Sequence, residues 1–219
     1  MKPRLEILHR DEHVLVVSKP AGLLSVPSPD APGDSLPEAL AREGIRAWAV
    51  HRLDREVSGA VLFALDAETR GLLEDLFRER KITKTYWALA QGRLRPSDGA
   101  FHFPILEEGA FARVSAHGRK ALTRYRTLAA LPETTIAEVD LVTGRRNQIR
   151  LHFAHAGHPL VGERKYARGK DSPVRIRSRR IALHAWKVAF AHPRTHAPLA
   201  IEAPLPDDLV ELAERAAQG

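Results

Sequence analysis

Cysteine is absent from this chain of 219 residues. That excludes disulfide bonds, thiolate catalysis and any zinc site built on cysteine. Long apolar runs are missing too. The N-terminal stretch MKPRLEILHRDEHVLVV has no extended apolar region of the kind a secretory leader carries. No segment approaches the roughly 18 apolar residues of a membrane span. The expectation is a soluble, cytoplasmic protein with no membrane partner. Neither an internal repeat nor a low-complexity tract interrupts the chain, which is long enough to bury one good core or two small lobes. The expected organisation is a single domain over 1–219.

What the chain has in excess is positive charge. Lys and Arg number 34 against 27 Asp and Glu, a formal net charge of +7. A polyanionic partner, most simply nucleic acid, fits that balance better than a neutral metabolite. Most of the bases are arginine, which suits bidentate phosphate contact and stacking on nucleobases. A codon bias toward arginine would explain the composition equally well, but not the net charge.

HVLVVSK (13–19) and GAVLFAL (59–65) are short apolar runs that predict buried strands. Between them, KPAGLLSVP (19–27) reads as a shaped loop, SPDAPGD (28–34) as a surface loop, and SLPEALARE (35–43) as a short helix capped by Ser35. AETRGLLEDLFRERK (67–81) is helical, with Leu72, Leu73, Leu76 and Phe77 on one side. KTYWALAQG (84–92) is a strand, and 100–143 is strand-rich. NQIRLHFAHAG (147–157) predicts a helix ended by Gly157. IALHAWKVAFAHP (181–193) and PLAIEAP (198–204) are strands, and PDDLVELAERAA (206–217) is a final helix that begins with its own acids. Several strands adjacent in sequence predict an α+β fold, with a central mixed, mainly antiparallel sheet and flanking helices.

Four stretches could carry chemistry. In HRLDREVSG (51–59), Asp54 stands among arginines that favour its ionised form, and an ionised carboxylate can serve as nucleophile or general base. An arbitrary Arg-x-Asp-Arg is more often a surface ion pair, but a Ser-Gly turn and an apolar strand follow here, placing Asp54 at an element edge. In TGRRNQIR (143–150), Arg145, Arg146 and Arg150 lie before and within a helix start, whose amides can also hold a phosphate. In HFAHAGH (152–158), His152, His155 and His158 recur every third residue, yet no fourth ligand accompanies them. Packing, or contact with RNA, suits them better than a metal. Residues 163–180 hold eight bases against Glu163 and Asp171 and resemble a phosphate-contact surface, or a solvated loop.

Taken in order, the stretches resemble one family, the RluA family of RNA pseudouridine synthases. KPAGLLSVP is similar to its lysine-proline-glycine entry loop and HRLDREVSG to its HRLD-x-x-T-S-G motif. KTYWALAQG resembles its K-x-Y-x-A-x-x-x-G strand. LVTGRRNQIRLHFAHAGHPLVGERKY resembles its L-x-T-G-R-x-H-Q-I-R-x-H…GHP-I-x-G-D-x-x-Y segment, and IALHAWKVAFAHP its L-H-A-x-x-L-x-F-x-HP strand.

The resemblance implies an isomerase that turns a uridine of tRNA or ribosomal RNA into pseudouridine, with no cofactor and no metal. It implies Asp54 as nucleophile, on the ribose or on the base. It makes Arg150 the partner that holds Asp54 ionised, Tyr86 the ring that stacks on uracil, and Arg52 an aid to flipping the nucleotide out. His51, Leu53, Lys19, Arg145, Gln148 and Ile149 are the remaining candidates for substrate binding. A monomer is the family's usual form. Because the catalytic pattern begins within about the first dozen residues, the expectation is a chain without the S4-type RNA-binding domain of many relatives. Three positions depart from the pattern: Val57 for threonine, Asn147 for histidine and Glu163 for aspartate. Two rivals stand beside this reading. One is an RNA-binding relative without catalysis, and the other a metal-dependent RNA hydrolase using the three histidines.

Overall fold

The structure is a computed structural model that describes residues 5–109, 111–167 and 176–218. The chain divides into two compact units, Met1–Lys84 with Ala185–Pro204, and Thr85–His184 with Leu205–Gly219. In chain order the elements are β1 (Glu6–Arg10), β2 (Val14–Lys19), α1 (Leu36–Arg42), β3 (Trp48–Ala49), β4 (Ser58–Ala64) and α2 (Ala67–Arg78). Then come β5 (Thr83–Gln91), β6 (Asp98–Phe101), β7 (Ile105–Glu108), β8 (Phe111–Val114), β9 (Thr123–Ala130) and β10 (Thr134–Leu141). The last are α3 (Gln148–His155), β11 (Leu183–Ala191), β12 (Pro198–Glu202) and α4 (Asp207–Ala217).

In the first unit β2 lies between β1 and β4, antiparallel to both. β3 adds a two-residue rung to β4, and β12 pairs antiparallel with β11. β2 and β4 are almost continuously apolar because both faces are covered, and residues 14–17 and 61–64 have no exposed surface. One face packs Val14, Val16, Leu62 and Val188 under Leu73, Leu76 and Phe77 of α2. Leu72, placed on that apolar side by spacing, is exposed instead, because the buried stripe of so short a helix is narrow. Both helices start on side-chain caps: Ser35 and Glu38 form a reciprocal capping box at α1, and Asp66 accepts from the Thr69 amide at α2. β1 and β3 had no counterpart in the sequence reading. β1 is an edge strand with most side chains exposed or half-buried, so it carries no apolar run, and β3 is only two residues long.

In the second unit β10 runs antiparallel between β5 and β9, and β6 pairs with β9. β9 alternates, with Thr123 and Tyr125 inward and Arg124 and Arg126 outward. β7 and β8 form a separate hairpin whose Ile105 and Ala112 pack with Leu151 of α3. Every strand pairing with a described register is antiparallel, and the fold is α+β, as expected.

Candidate active site

The loop that carries Asp54 is held through the backbones of the residues on either side of it. On one side the Ser25 hydroxyl donates to the Leu53 carbonyl at 3.0 Å and accepts from the Leu53 amide at 2.9 Å. On the other, the Arg55 carbonyl accepts from the Gly22 amide at 2.7 Å and from Lys19 Nζ at 3.2 Å. Lys19 Nζ also donates to the carbonyls of Pro20 at 3.0 Å and Leu23 at 2.7 Å, and the residue is fully buried. One ammonium thus ties the turn after β2 to the Asp54 loop. A buried cation persists only when hydrogen bonds replace its lost hydration, and three carbonyl dipoles do that here. The Val57 amide closes a turn onto the Asp54 carbonyl at 3.1 Å. Gly59 then enters β4 at φ 118°, where an added Cβ would lie 2.3 Å from the Ala185 carbonyl oxygen. Only glycine fits that approach.

The arginines beside Asp54 differ in what they do. Arg55 donates from Nε to the Gly22 carbonyl at 2.8 Å and from Nη2 to Asp34 at 2.8 Å, which fastens the loop. Arg52 is exposed. Leu53 is buried. His51 accepts the Leu62 amide on Nε2 at 2.9 Å and packs on Phe77 at 5.0 Å. Burial, with the nearby charge of Lys84, pushes its pKa down to about 3, so the ring is neutral. Desolvation also lowers the pKa of Lys84, whose Nζ lies 5.5 Å above the Phe77 ring. His51 therefore closes the backbone of β4 and braces the loop from below.

In the second unit Tyr86 and Trp87 of β5 are both nearly buried, although adjacent strand residues point to opposite faces. β5 is thus covered on both sides. Arg150 of α3 is buried, and its Nε and Nη2 donate to Glu163 Oε2 and Oε1 at 2.7 and 3.1 Å. Its Nη1 donates to Asn147 Oδ1 at 3.2 Å. Asn147 Nδ2 in turn donates to the Tyr166 hydroxyl at 2.7 Å, and Arg150 stacks over the Tyr166 ring at 5.3 Å. Asn147 precedes α3 at φ 53°, left-handed backbone that asparagine and histidine tolerate better than most residues.

Gln148 knits the same turn. Its Oε1 accepts from Thr143 at 2.8 Å and from the Arg145 amide at 3.0 Å, while Nε2 donates to Leu122 and Thr123. Ile149 is buried, and Arg145 Nε donates to the Lys120 carbonyl at 3.3 Å. Arg146 reaches the β7–β8 hairpin at the Gly109 carbonyl.

Two of the three histidines meet Phe103, and the third meets a backbone carbonyl. Burial lowers the pKa of His152, whose Nε2 meets the Phe103 carbonyl at 2.9 Å. His155 packs edge-on against Phe103, and His158 Nδ1 meets the Gln91 carbonyl at 3.0 Å. Of the basic run, Arg164, Lys165, Arg177 and Arg179 are exposed, and Arg180 pairs with Asp208 at 2.6 Å. Arg168, Lys170, Asp171 and Arg175 lie outside the described residues. Among the described residues no helix is long and apolar enough to cross a membrane.

Sequence reasoning missed Ser25, whose hydroxyl matters only because residue 53 folds back onto it, and Tyr166. It marked Asn147 and Glu163 only as departures, with no sign that both end on Arg150.

Comparison with known proteins bears on the arrangement as a whole. The family described as RNA pseudouridylate synthase matches residues 13–155. The dual-specificity RNA pseudouridine synthase RluA of Pasteurella multocida is 37% identical, over 92% of this chain and 94% of its own length. The uncharacterized RNA pseudouridine synthase YhcT of Bacillus subtilis is 35% identical, over 95% of this chain and 71% of its own. Human RNA Pseudouridylate Synthase Domain Containing 4 shares the fold. Its TM-score is 0.79 at 24% identity, covering 96% of this chain and 92% of that one.

Proposed function

The chain belongs to the RluA family of RNA pseudouridine synthases, and from that premise we propose that it isomerises particular uridines of tRNA, ribosomal RNA or both, with Asp54 as nucleophile. The reaction class, an isomerisation within RNA, follows from the family. The choice of RNA rests on the relatives: one of them is named for dual specificity, and others are named for the large ribosomal subunit. The family match runs across the division between the two units, which supports their forming one catalytic domain.

The observation that carries the assignment of Asp54 is the double backbone clamp on Leu53 and Arg55. A nucleophile must be held in one geometry, and fixing both flanking peptides contributes to that. The Asp54 carboxylate attacks the target nucleotide, and the bond from ribose C1′ to uracil N1 breaks. The uracil turns, C5 bonds to C1′, the bond to Asp54 is released so that its carboxylate is regenerated, N1 takes up a proton, and the C5 proton leaves to solvent. Arg150 supplies the positive charge that keeps the nucleophile ionised, and Tyr86 offers its ring face to the uracil. Arg52, exposed beside the nucleophile, stacks into the place the flipped nucleotide leaves. Lys19, His51, Leu53, Gln148 and Ile149 serve the site as supports of its two loops, and Arg145 holds its motif turn while facing solvent in part.

Tritium release tests the reading. Purified protein receives tRNA and ribosomal RNA fragments tritiated at uridine C5, with EDTA present. Wild type releases tritium to water, and Asp54→Asn slows release by on the order of a thousandfold or more, as loss of a covalent nucleophile does. Release by Asp54→Asn at the wild-type rate would remove Asp54 from the mechanism. RNA cleavage that disappears with EDTA, with no tritium released in its absence, would favour the metal-dependent hydrolase.

A further inference from the structure

Two of the three departures from the family pattern, Asn147 and Glu163, meet on one side chain. Arg150 gives two of its nitrogens to Glu163 and the third to Asn147. The contact is built, not incidental. The Arg150 and Glu163 side chains are 5% and 0% exposed. Glu163 Oε1 accepts two further bonds, from the amides of Lys165 at 2.8 Å and Tyr166 at 3.2 Å. The carboxylate is thereby pinned to the turn after Gly162, and the turn is pinned to the guanidinium.

Size makes the pair informative. Glutamate is one methylene longer than the aspartate of the family pattern, and asparagine is shorter than its histidine. The added reach at 163 and the removed bulk at 147 lie on two sides of the same guanidinium. Position 147 also needs left-handed backbone, which histidine tolerates as asparagine does, so the exchange there leaves the main chain unburdened.

We propose that Glu163 and Asn147 are coupled positioning residues: together they set where the Arg150 guanidinium stands, and each compensates for the other's departure in length. The inference deepens the proposed function and rests on Arg150 serving the nucleophile. With Glu163 shortened alone, the carboxylate stays bonded to its turn and draws Arg150 away or loses one of the two bonds. With Asn147 enlarged alone, the imidazole crowds the guanidinium while Glu163 still holds it forward. With both changed, the guanidinium settles into the spacing of the histidine–aspartate pattern.

The test is a double-mutant cycle of Glu163→Asp and Asn147→His on single-turnover tritium release at saturating RNA, with thermal melts and RNA affinities measured alongside. Each single variant lowers the rate about ten- to a hundredfold, the scale of a misplacement near 1 Å. RNA affinity stays within about twofold. The double variant recovers at least about fivefold over the worse single variant, a coupling typical of residues sharing one partner. A purely structural role would lower the melting temperature and leave the rate of the folded protein unchanged, and that result overturns the proposal. Effects that simply multiply in the double variant overturn it as well. If wild type releases no tritium, the proposed function fails, and this inference goes with it. If wild type releases tritium and the cycle shows no coupling, only this inference fails.

Discussion

Asp54 and Asp66 flank opposite ends of β4, and different frames are built around them. Asp66 is fixed by its own oxygens. It accepts from the Thr69 amide and hydroxyl at 2.7 and 2.6 Å, from His13 at 3.0 Å and from Arg194 at 3.4 Å. These donors, the Thr69 hydroxyl first, hold its pKa well below the usual carboxylate range. Asp11 nearby is treated the same way. Burial alone would raise its pKa, but the amides of His13 and Val14, with His9 and His192, bring it down to about 2. At the other end of the strand the peptides on either side of Asp54, those of Leu53 and Arg55, are clamped. An acid bound through its oxygens is committed to the fold. An acid whose neighbouring peptides are clamped has its backbone positioned by the fold as well.

Removing Lys19 should have the largest effect. Lys19→Met removes the donor of three part-buried hydrogen bonds, costing about 1–3 kcal/mol, and loosens one side of the Asp54 loop. Single-turnover tritium release by the folded variant should fall roughly a hundredfold, with RNA affinity nearly unchanged. A loss of affinity alone would make Lys19 a residue that touches RNA, as the sequence suggested.

Ser25→Ala should do less. It removes the bonds to both backbone groups of Leu53, lowers stability by about 1 kcal/mol and slows release roughly tenfold. Melting and rate measured on one preparation separate the two effects, and an unchanged rate would remove Ser25 from the clamp.

Asp11→Asn should have the smallest effect, a loss of stability above about pH 4 that disappears in acid. The folded pKa of about 2 lies below the ordinary 3.8, so the stabilisation is present above about pH 4 and is lost as pH falls toward 2. Half-exposed and screened, it amounts to about 1 kcal/mol or less. Melting followed from pH 6 to pH 2 should therefore drop more steeply for wild type than for the variant, while tritium release at pH 7 stays the same. Parallel curves would deny Asp11 its role in acid sensitivity.

Strand and helix content was largely legible where the signal is local. HVLVVSK and GAVLFAL announced β2 and β4 because strands covered on both faces must be apolar throughout. Ser35 and Glu38, three residues apart, announced the start of α1. β1 escaped because an edge strand needs no apolar run, and its pairing with β2 supplies what its sequence does not. At the candidate site, HRLDREVSG and TGRRNQIR pointed to the proposed chemistry, while no local signal showed that Lys19, a candidate substrate contact, is buried and donates to three carbonyls.

By itself the sequence determined the caps, the buried strands, the basic balance and the order of motifs that assigns the family. The caps and the buried strands are each written within a dozen residues, where periodicity and capping act, and the charge balance and motif order are read along the whole chain. Tertiary structure alone decided which groups meet: Ser25 with Leu53 across 28 positions, Lys19 with Arg55 across 36, and Arg150 with Glu163 across 13. Such pairs depend on the path of the intervening chain. A buried charge or peptide group must find whatever partner that path brings within hydrogen-bonding distance.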